Sequence, residues 1–381
     1  MPLGARTSEL ARVTATFEPV PFSALPGWEG DDQLAAFRAF LRSAPALDGS
    51  GAADGAGGTK VDDAPLVAVA GRAVACQASI TTRDDARAFF ERHFVPHRVV
   101  HDGAEGLLTG YYEPVLAGAR TPNGPFRIPV YRRPPDLVNL VREEERGALA
   151  DGLTHARRTA DGVEPYATRA EIEEGALSGQ GLELVWMTDP VDTFFMHIQG
   201  SGRIRFPDGR TIRITYDGKN GHPYTSVGRV LIDAGHFTPD EMTLAALKTW
   251  LAADPVRGRE TMRENRSFVF FRELANEADG PLGARSIPLS DGRSLAVDTG
   301  FHAIGTPVYV RAPTLETGNG APGFERLMIA QDVGSAIRGP ERGDIYFGSG
   351  DEAGQLAGAT KHPGRFFVLH PRAGGAPDGT S

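Results

Sequence analysis

Three aspartates near the C-terminus have the sequence surroundings of an acid–base site. Asp298, Asp332 and Asp344 are each joined directly to the apolar residues of a predicted strand. A carboxyl beside residues 345–347 (Ile-Tyr-Phe) would be desolvated, which raises its pKa toward that of a useful proton donor. Any one of these acids could instead cap a turn by accepting backbone amides. Three of them within 47 positions indicate a site.

Three further segments bring polar side chains to predicted strand ends or turns. In residues 107–114, Tyr111 and Tyr112 would point to opposite faces of a strand, so that one packs while the other meets a ligand. Residues 195–203 are predicted as a strand that ends in Gln-Gly-Ser-Gly, with an amide, a hydroxyl and bare backbone at a rim. Residues 216–224 place Lys, His and two tyrosines around an Asn-Gly turn. The simpler alternatives are strand propensity for the first segment and turn formation for the other two.

Signatures of several other enzyme classes do not occur in the sequence. It contains no G-x-x-x-x-G-K-[ST], H-E-x-x-H or G-x-S-x-G motif. His93 and His97 are not expected to share a metal, because Pro96 would break a helix between them. Residues 348–353 match the dinucleotide-binding pattern, but the 28 residues that follow are too few for a βαβ unit.

The composition of the 381 residues excludes further classes. With 40 Lys and Arg against 49 Asp and Glu, the net charge of −9 argues against a general nucleic-acid binder. The single cysteine, Cys76, excludes an internal disulfide, a thiolate zinc cluster and an iron–sulfur site. No apolar run approaches the roughly 18 residues of a membrane helix. The N-terminus has neither the apolar core of an export signal nor a lipid-carrying cysteine, which predicts a soluble chain, although a trimmed exported protein would look the same.

The elements that must position these residues are predicted to be mainly β-strands, with helices as spacers. The 47 glycines and 28 prolines interrupt the chain often, which favours many short strands and a barrel over a doubly wound sheet. Helices are predicted at residues 31–42, at 84–94 with Thr82 as N-cap, and at 135–149. Two more are predicted after capping pairs, one after Thr168–Glu171 and one over residues 242–251 after Thr238–Glu241. Segments predicted to be flexible are residues 1–16, 48–59 and 371–381.

Longer blocks of the sequence point to one family. They are GLLTGYYEPVL, PYATRAEIEEGAL, HIQGSGRIRFPDG, YDGKNGHPYTSVGRVLID, NRSFVFF, AQDVGSAIRGPERGDIYFGSGDEAGQLAG and KHPGRFFVLHP. These blocks resemble, in the same order, those of the membrane-bound lytic murein transglycosylase A family, and the resemblance covers roughly residues 100–370. The C-terminal part also resembles the domain named for three aspartates, which would be Asp298, Asp332 and Asp344 here.

The resemblance implies a mainly β protein with two domains. The larger would be a double-psi β-barrel built from residues 17–113 and 252–370. A smaller β-domain, residues 114–251, would be inserted between these two segments. A deep groove between the domains would bind a glycan strand, with Asp344 facing a wall that carries Gln199 or Lys219.

The activity implied by the resemblance is cleavage of the β-1,4 bond between N-acetylmuramic acid and N-acetylglucosamine without water, leaving a 1,6-anhydromuramoyl end. Asp344 would be the catalytic residue, supported by Asp332 and Asp298. Because the C6 hydroxyl of the substrate itself attacks, one desolvated aspartate can protonate the leaving oxygen and then accept the C6 proton, without metal or cofactor. The implied substrate-binding residues are Thr109, Tyr112, Gln199, Gly200, Ser201, Lys219, Asn220, Tyr224 and Phe347.

Two alternatives remain open from the sequence. A hydrolase on the same barrel would use Asp344 as acid and Asp332 or Asp298 as base. A glycan-binding module would have lost catalysis, against which the intact Asp344 argues. The resemblance also implies a monomer in the periplasm, associated with the outer membrane, that acts on peptidoglycan strands, binds no nucleic acid and joins cell-wall synthesis or division complexes.

Overall fold

The computed structural model describes residues 14–48, 64–103, 105–140, 153–275, 280–316, 323–334 and 336–372. Within these ranges most elements are strands, which confirms the mainly β prediction. The helices of seven residues or more in these ranges are α1 Gln33–Leu47, α2 Ala64–Cys76, α3 Arg83–His93, α4 Pro190–Gln199, α5 Val227–Asp233, α6 Leu244–Ala253, α7 Pro255–Arg263 and α8 Asp351–Ala359. None of the helices in the described ranges is both long and apolar enough to cross a membrane.

The strands fall into three sheets. Nine belong to the first sheet: β1 Ala15–Pro19, β2 Phe94–His101, β3 Leu107–Glu113, β13 Ser294–Val297, β14 Pro307–Ala312, β15 Phe324–Asp332, β16 Arg342–Ser349, β17 Lys361–Pro363 and β18 Arg365–Pro371. The second and third sheets contain β4 Val115–Ala119, β5 Ile128–Tyr131, β6 Leu137–Asn139, β7 His155–Thr159, β8 Gly162–Glu164, β9 Glu183–Met187, β10 Ser201–Arg205, β11 Thr211–Lys219 and β12 Val269–Glu273.

The nine-stranded sheet combines strands from both ends of the sequence. Its order is β1-β2-β18-β14-β15-β13-β16-β3-β17. The pairs β13·β15 and β16·β3 are parallel and the other neighbours are antiparallel. The two edge strands of this sheet are β1 and β17, and no hydrogen-bonded pairing joins them among the described residues, so the strands do not form a closed ring there. A core of aliphatic and aromatic residues from β13 to β16 and β18 fills its interior.

The chain leaves this sheet at Glu113, the end of β3, and enters the six-stranded sheet at Val115, the start of β4. That sheet has the order β12-β11-β10-β4-β9-β5, and β6, β7 and β8 form the small third sheet. β12 pairs with β11 along Val269–Glu273. The six-stranded sheet therefore includes a strand, β12, that follows residue 251 in the sequence.

The N-terminal helices pack against the first sheet as part of one core. Asp32 begins α1 by accepting a hydrogen bond from the Ala35 amide. Thr82 and Asp85 form a capping box at the start of α3, which confirms the predicted cap. The aromatic rings of these helices share a core with residues of β14, β15 and β18. Helices α1 and α3 lie close to the predicted ranges 31–42 and 84–94.

One predicted strand is a helix. Of residues 195–203, predicted as a strand that ends in Gln-Gly-Ser-Gly, residues 195–199 belong to the helix α4, and β10 begins only at Ser201. The Asp189 carboxylate accepts the Asp192 amide, Pro190 occupies the first turn, and Gly200 ends the helix with φ of 75°. The helix is buried on most of its surface, and its short apolar run, rich in aromatic residues, fits a buried strand as well as a helix.

Two predicted helices also differ from the structure. In the predicted helix at 135–149, residues 135–136 form a turn and residues 137–139 form β6, and residues 141–149 lie outside the described residues. The Thr238–Glu241 pair forms the expected hydrogen bonds, but α6 begins later, capped by Thr243. The Thr168–Glu171 capping box is present and starts only a short helical turn.

The segments predicted as flexible lie largely outside the described residues. The parts that the structure does describe include ordered strands: Ala15 begins β1, and Pro371 ends β18. Both strands pair with β2, so hydrogen bonds fix their backbones.

Candidate active site

Two adjacent parallel strands bring Asp344 and Thr109 together. In the register of β16 and β3, Asp344 lies directly opposite Thr109. The Thr109 hydroxyl donates to Asp344 Oδ1 at 2.5 Å, and Arg342 Nη2 donates to the Thr109 oxygen at 2.9 Å. Thr109 thus has its proton aimed at the carboxyl, and its oxygen is held by a cation.

The surroundings of Asp344 favour its protonated form. Burial raises the pKa of the carboxyl above its ordinary value, and the Thr109 hydrogen bond and the Arg342 charge oppose that rise only in part. The residue nevertheless remains half-buried rather than sealed. A carboxyl that retains its proton and is still reachable is suited to general acid catalysis.

Asp332, at the end of β15, has its own set of partners. The Tyr111 hydroxyl donates to Oδ2 at 2.8 Å and the Val333 amide donates to Oδ1 at 2.8 Å. Burial raises the Asp332 pKa to about 6, assisted by the charge of Asp344, while these hydrogen bonds hold the pKa down. Asp344 is therefore close enough to influence the ionisation of Asp332.

Tyr111 was not among the implied substrate-binding residues, which included its neighbour Tyr112 instead. Side chains alternate along a strand, so Thr109 and Tyr111 share a face while Tyr112 points the other way. The Tyr111 ring packs 5.3 Å from that of Tyr346 and its hydroxyl reaches Asp332. The alternation, applied from Thr109, would have selected the correct tyrosine.

Asp298 holds a loop. Its two carboxylate oxygens accept the amides of Gly300 and Gly339 at 3.0 and 2.8 Å, and Arg338 lies 3.6 Å away. These contacts join the end of β13 to the loop that precedes β16. The third aspartate therefore positions the strand of Asp344, through the amide contacts expected of a turn-capping acid.

A cleft of about 270 Å³ lies along the other face of β3. Its apolar walls come from α4, α5 and α6, and α8 closes one side. The Tyr112 amide donates to Gln199 Oε1 at 3.0 Å, and Tyr224 stands 38% exposed at the cleft. Predicted residues Tyr112, Gln199 and Tyr224 are thus brought together, but on the opposite face of β3 from the Thr109 side chain.

The remaining candidates divide between buried and accessible positions. Asn220 is fully buried, and its amide bonds the carbonyls of Ala167 and Arg266 and the Phe268 amide, which assigns it to holding the turn. Lys219 is half-buried, and burial together with the Arg338 charge lowers its pKa. The charge of Arg338, in the loop that precedes β16, thus acts on Lys219.

Three predicted residues shape the backbone around these groups. Gly200 adopts the left-handed conformation after α4, and Ser201 is buried at the start of β10. Phe347 packs against Gly110, where a β-carbon would lie 2.5 Å from its ring. Among the described residues, no group of three His, Cys, Asp or Glu side chains could hold a metal ion.

Comparison with known proteins agrees with this architecture. Residues 107–272 match the family model described as the MltA specific insert domain, and residues 293–370 match the 3D domain. Membrane-bound lytic murein transglycosylase A of Escherichia coli (strain K12) is 38% identical over 272 residues, which are 70% of this chain and 66% of that protein. The protein of the same name from Vibrio cholerae is 38% identical over 268 residues, 69% of this chain and 65% of that one. The match thus spans slightly less than two thirds of these relatives.

Solved structures match over nearly the whole chain. The crystal structure of membrane-bound lytic murein transglycosylase from Agrobacterium tumefaciens has a TM-score of 0.84 and 38% identity, covering 93% of this chain and 98% of that one. The structure of E. coli MltA with bound chitohexaose has a TM-score of 0.66 and 30% identity, covering 94% and 95%. These relatives are named as membrane-bound lytic murein transglycosylases. On this sequence and structural similarity, the chain belongs to the membrane-bound lytic murein transglycosylase A family.

Proposed function

We propose that this protein is a peptidoglycan lytic transglycosylase that uses Asp344 as its single acid and base. The observation that carries the proposal is the raised pKa of a half-buried Asp344 whose Oδ1 accepts the Thr109 hydroxyl. The substrate is a β-1,4 glycan strand of alternating N-acetylglucosamine and N-acetylmuramic acid. Family membership and the chitohexaose complex of the E. coli relative support this substrate class.

The reaction balances without water. Asp344 donates its proton to the glycosidic oxygen as the bond from that oxygen to C1 of the muramoyl residue breaks. The C6 hydroxyl of the same sugar then bonds to C1 and returns its proton to Asp344, which regenerates the acid. Because nucleophile and electrophile belong to one sugar, their proximity supplies part of the rate enhancement. Thr109 and Arg342 stabilise the carboxylate that exists between the two proton transfers.

A two-carboxylate hydrolase is the second candidate, because a second buried carboxyl, Asp332, lies near enough to Asp344 for its pKa, raised mainly by burial, to be raised further by the Asp344 charge. An inverting or retaining hydrolase needs a second carboxyl that is free to activate water or attack C1. Both oxygens of Asp332 already accept hydrogen bonds, from Tyr111 and Val333. These contacts favour a supporting role, in which Asp332 stabilises positive charge at C1.

The barrel type, the domain division and the cellular location are part of the same proposal. The parallel pairs β13·β15 and β16·β3 support a double-psi barrel for the first sheet. We propose the six-stranded sheet as the inserted domain, ending after β12, with a substrate groove between the two. The names of the relatives support a location at the cell envelope, and a periplasmic monomer that meets cell-wall synthesis or division complexes is consistent with that location.

Substitution of the acid tests the mechanism. Asp344→Asn keeps the shape of the side chain and removes the transferable proton, so release of anhydromuropeptides from purified sacculi should fall by about 10²–10⁴-fold. Release by the Asp332→Asn enzyme should fall less than release by Asp344→Asn. The control Asp84→Asn, at an exposed position on α3, should release anhydromuropeptides at the wild-type rate. Near-wild-type release by a folded Asp344→Asn enzyme would contradict the proposal. Equal losses in Asp344→Asn and Asp332→Asn would favour the hydrolase.

A further inference from the structure

One buried carboxylate has no part in the proton transfers described above. Glu113 is fully buried and is the last residue of β3, where the chain leaves the nine-stranded sheet. A buried carboxylate is costly unless it is paired and hydrogen-bonded. Its partners therefore indicate what holds this junction together.

The partners of Glu113 come from both sheets. Arg213, on β11 of the six-stranded sheet, donates from Nε to Oε1 at 2.6 Å and from Nη2 to Oε2 at 2.9 Å. Ser349, at the end of β16 of the nine-stranded sheet, donates its hydroxyl to Oε2 at 2.5 Å. One side chain thus joins β3, β16 and β11 with charge-assisted hydrogen bonds of fixed geometry.

Backbone contacts and a second cation reinforce the junction. Arg203 on β10 lies directly opposite Arg213 in register and approaches the Glu113 carboxylate to 3.7 Å. The Gly350 amide donates to the Glu113 carbonyl at 2.9 Å, and the Arg203 amide donates to the Pro114 carbonyl at 2.8 Å. The carboxylate is therefore enclosed between two guanidinium groups of one sheet and a strand end of the other.

Each of the three joined strands also carries a residue of the candidate site. Thr109 precedes Glu113 on β3, Asp344 precedes Ser349 on β16, and Lys219 follows Arg213 on β11. At about 3.3 Å per residue, the acid lies ~16 Å from this junction along its strand and Lys219 lies ~20 Å along the other. A tilt of about 5° at the junction would displace a side chain ~20 Å away by about 2 Å, which is enough to misalign a reaction.

We propose that Glu113 is a positioning residue of the reaction, fixing the wall that carries Lys219 at a set angle to the wall that carries Asp344. The inference rests on the proposed function for its activity readout, but the angle between the sheets can be measured separately. Glu113 acts through the strands that it joins and contacts no reacting atom.

The test combines kinetics with a distance measurement. Glu113→Gln keeps the volume of the side chain and leaves the guanidinium groups without their counter-charge. For the distance, spin labels are attached to Arg205→Cys on β10 and Lys361→Cys on β17, both exposed, in a Cys76→Ala background. We expect a broadened or shifted distance distribution and a kcat on long glycan strands about 10²-fold lower, with a smaller change in KM.

A matched control separates positioning from ordinary stabilisation. Glu273→Gln removes the exposed bidentate pair with Arg120, both contacts at 2.8 Å, which lies at the six-stranded sheet and does not reach the first sheet. It should change neither the distance distribution nor kcat. Should Glu113→Gln fail to fold, Ser349→Ala removes only the contact to β16 and should broaden the distances with a smaller loss of kcat.

Two results would overturn the inference. One is a folded Glu113→Gln enzyme with the wild-type distance distribution and kcat. The other is a lower melting temperature with unchanged kcat per folded molecule, which would make the residue merely structural. Failure of the proposed function has a different signature, since a wild-type enzyme that yields ordinary reducing ends would leave the distance result unaffected.

Discussion

At the scale of single residues, the candidate site distinguishes two aspartates by their neighbours. Asp344 accepts a hydroxyl that is itself held by Arg342, whereas Asp332 accepts a tyrosine hydroxyl and a backbone amide. Burial raises both pKa values. The two aspartates therefore differ in their acceptor oxygens. Asp344 accepts the Thr109 hydroxyl at one oxygen, whereas both oxygens of Asp332 accept hydrogen bonds.

The Asp332 carboxyl should make stability depend on pH. Its pKa in the folded protein is about 6, against 3.8 for the ordinary group, so the folded state loses relative stability as pH rises from about 4 to 6. At about 1.4 kcal/mol per pH unit, the loss reaches at most ~3 kcal/mol. Asp332→Asn should match the wild type in melting temperature near pH 3.5 and exceed it at pH 7. Parallel melting curves for the two proteins across this range would contradict the assignment.

Sequence reasoning was most successful where a residue acts through its immediate neighbours. The apolar residues beside Asp344 correctly indicated a desolvated carboxyl, and the caps at Thr82 and Thr168 needed only local spacing. It could not indicate that Asn220 bonds backbone groups of Ala167 and Arg266, because those partners are distant in sequence. An amide next to glycine has the same local sequence whether it binds a ligand or holds a turn.

At the scale of elements, the close contact between β3 and α8 positions the strand that carries Thr109. A β-carbon on Gly110 would lie 2.5 Å from the Phe347 ring and 2.8 Å from the Ala357 Cα atom. The backbone of β3 can approach the helix only because this residue lacks a side chain. The same strand carries Thr109 on its other face, so a shift of β3 would move the partner of Asp344.

Gly110→Ala should therefore lower both stability and activity. We expect a loss of about 1–3 kcal/mol in the free energy of unfolding from overpacking, together with slower release of anhydromuropeptides. Gly71→Ala is the matched control, since a β-carbon there meets nothing within 4 Å inside α2, and alanine should stabilise that helix by about 0.5–1 kcal/mol. Denaturant titrations compare the two variants. Equal stability of Gly110→Ala and the wild type would show that the contact tolerates a methyl group.

The type of element was predictable where a short apolar run is bounded by turns and the run is in fact a strand. The strands from β13 to β16 were recognised in this way, although they are largely buried. Helix α4 was assigned as a strand because its short apolar run, rich in aromatic residues, fits a buried strand as well as a helix. The signals that do identify it are Asp189, Pro190 and Gly200, which belong to its ends.

At the scale of the whole molecule, a buried ion pair joins the N-terminal segment to the C-terminal sheet. Asp31 accepts two hydrogen bonds from Arg293, at 2.9 and 2.8 Å, and a third from the Leu327 amide at 2.7 Å. The N-terminal helices lie outside the residues matched by the family models, yet they share a core with β14 and β15. Such pairing between distant segments was not evident from sequence patterns.

Asp31→Asn should destabilise the entire fold. It leaves the buried Arg293 without its counter-charge, and the loss of one partner of a buried pair costs about 3–5 kcal/mol. Glu18→Gln, which breaks the exposed pair with Arg98, should cost no more than about 1 kcal/mol. Urea unfolding of both variants measures the difference. A loss of less than about 1 kcal/mol for Asp31→Asn would show that the two segments are joined mainly by the apolar core.

The central claim, that the substrate's own C6 hydroxyl attacks C1, can be tested by digesting purified sacculi in water enriched in ¹⁸O. Mass spectrometry of the muropeptides then reports both the end group and the source of its oxygen. Cleavage assisted only by Asp344 predicts 1,6-anhydromuramoyl ends without ¹⁸O from the first turnover onward. Products with ordinary reducing ends that carry one ¹⁸O at C1 would contradict the account and identify the enzyme as a hydrolase.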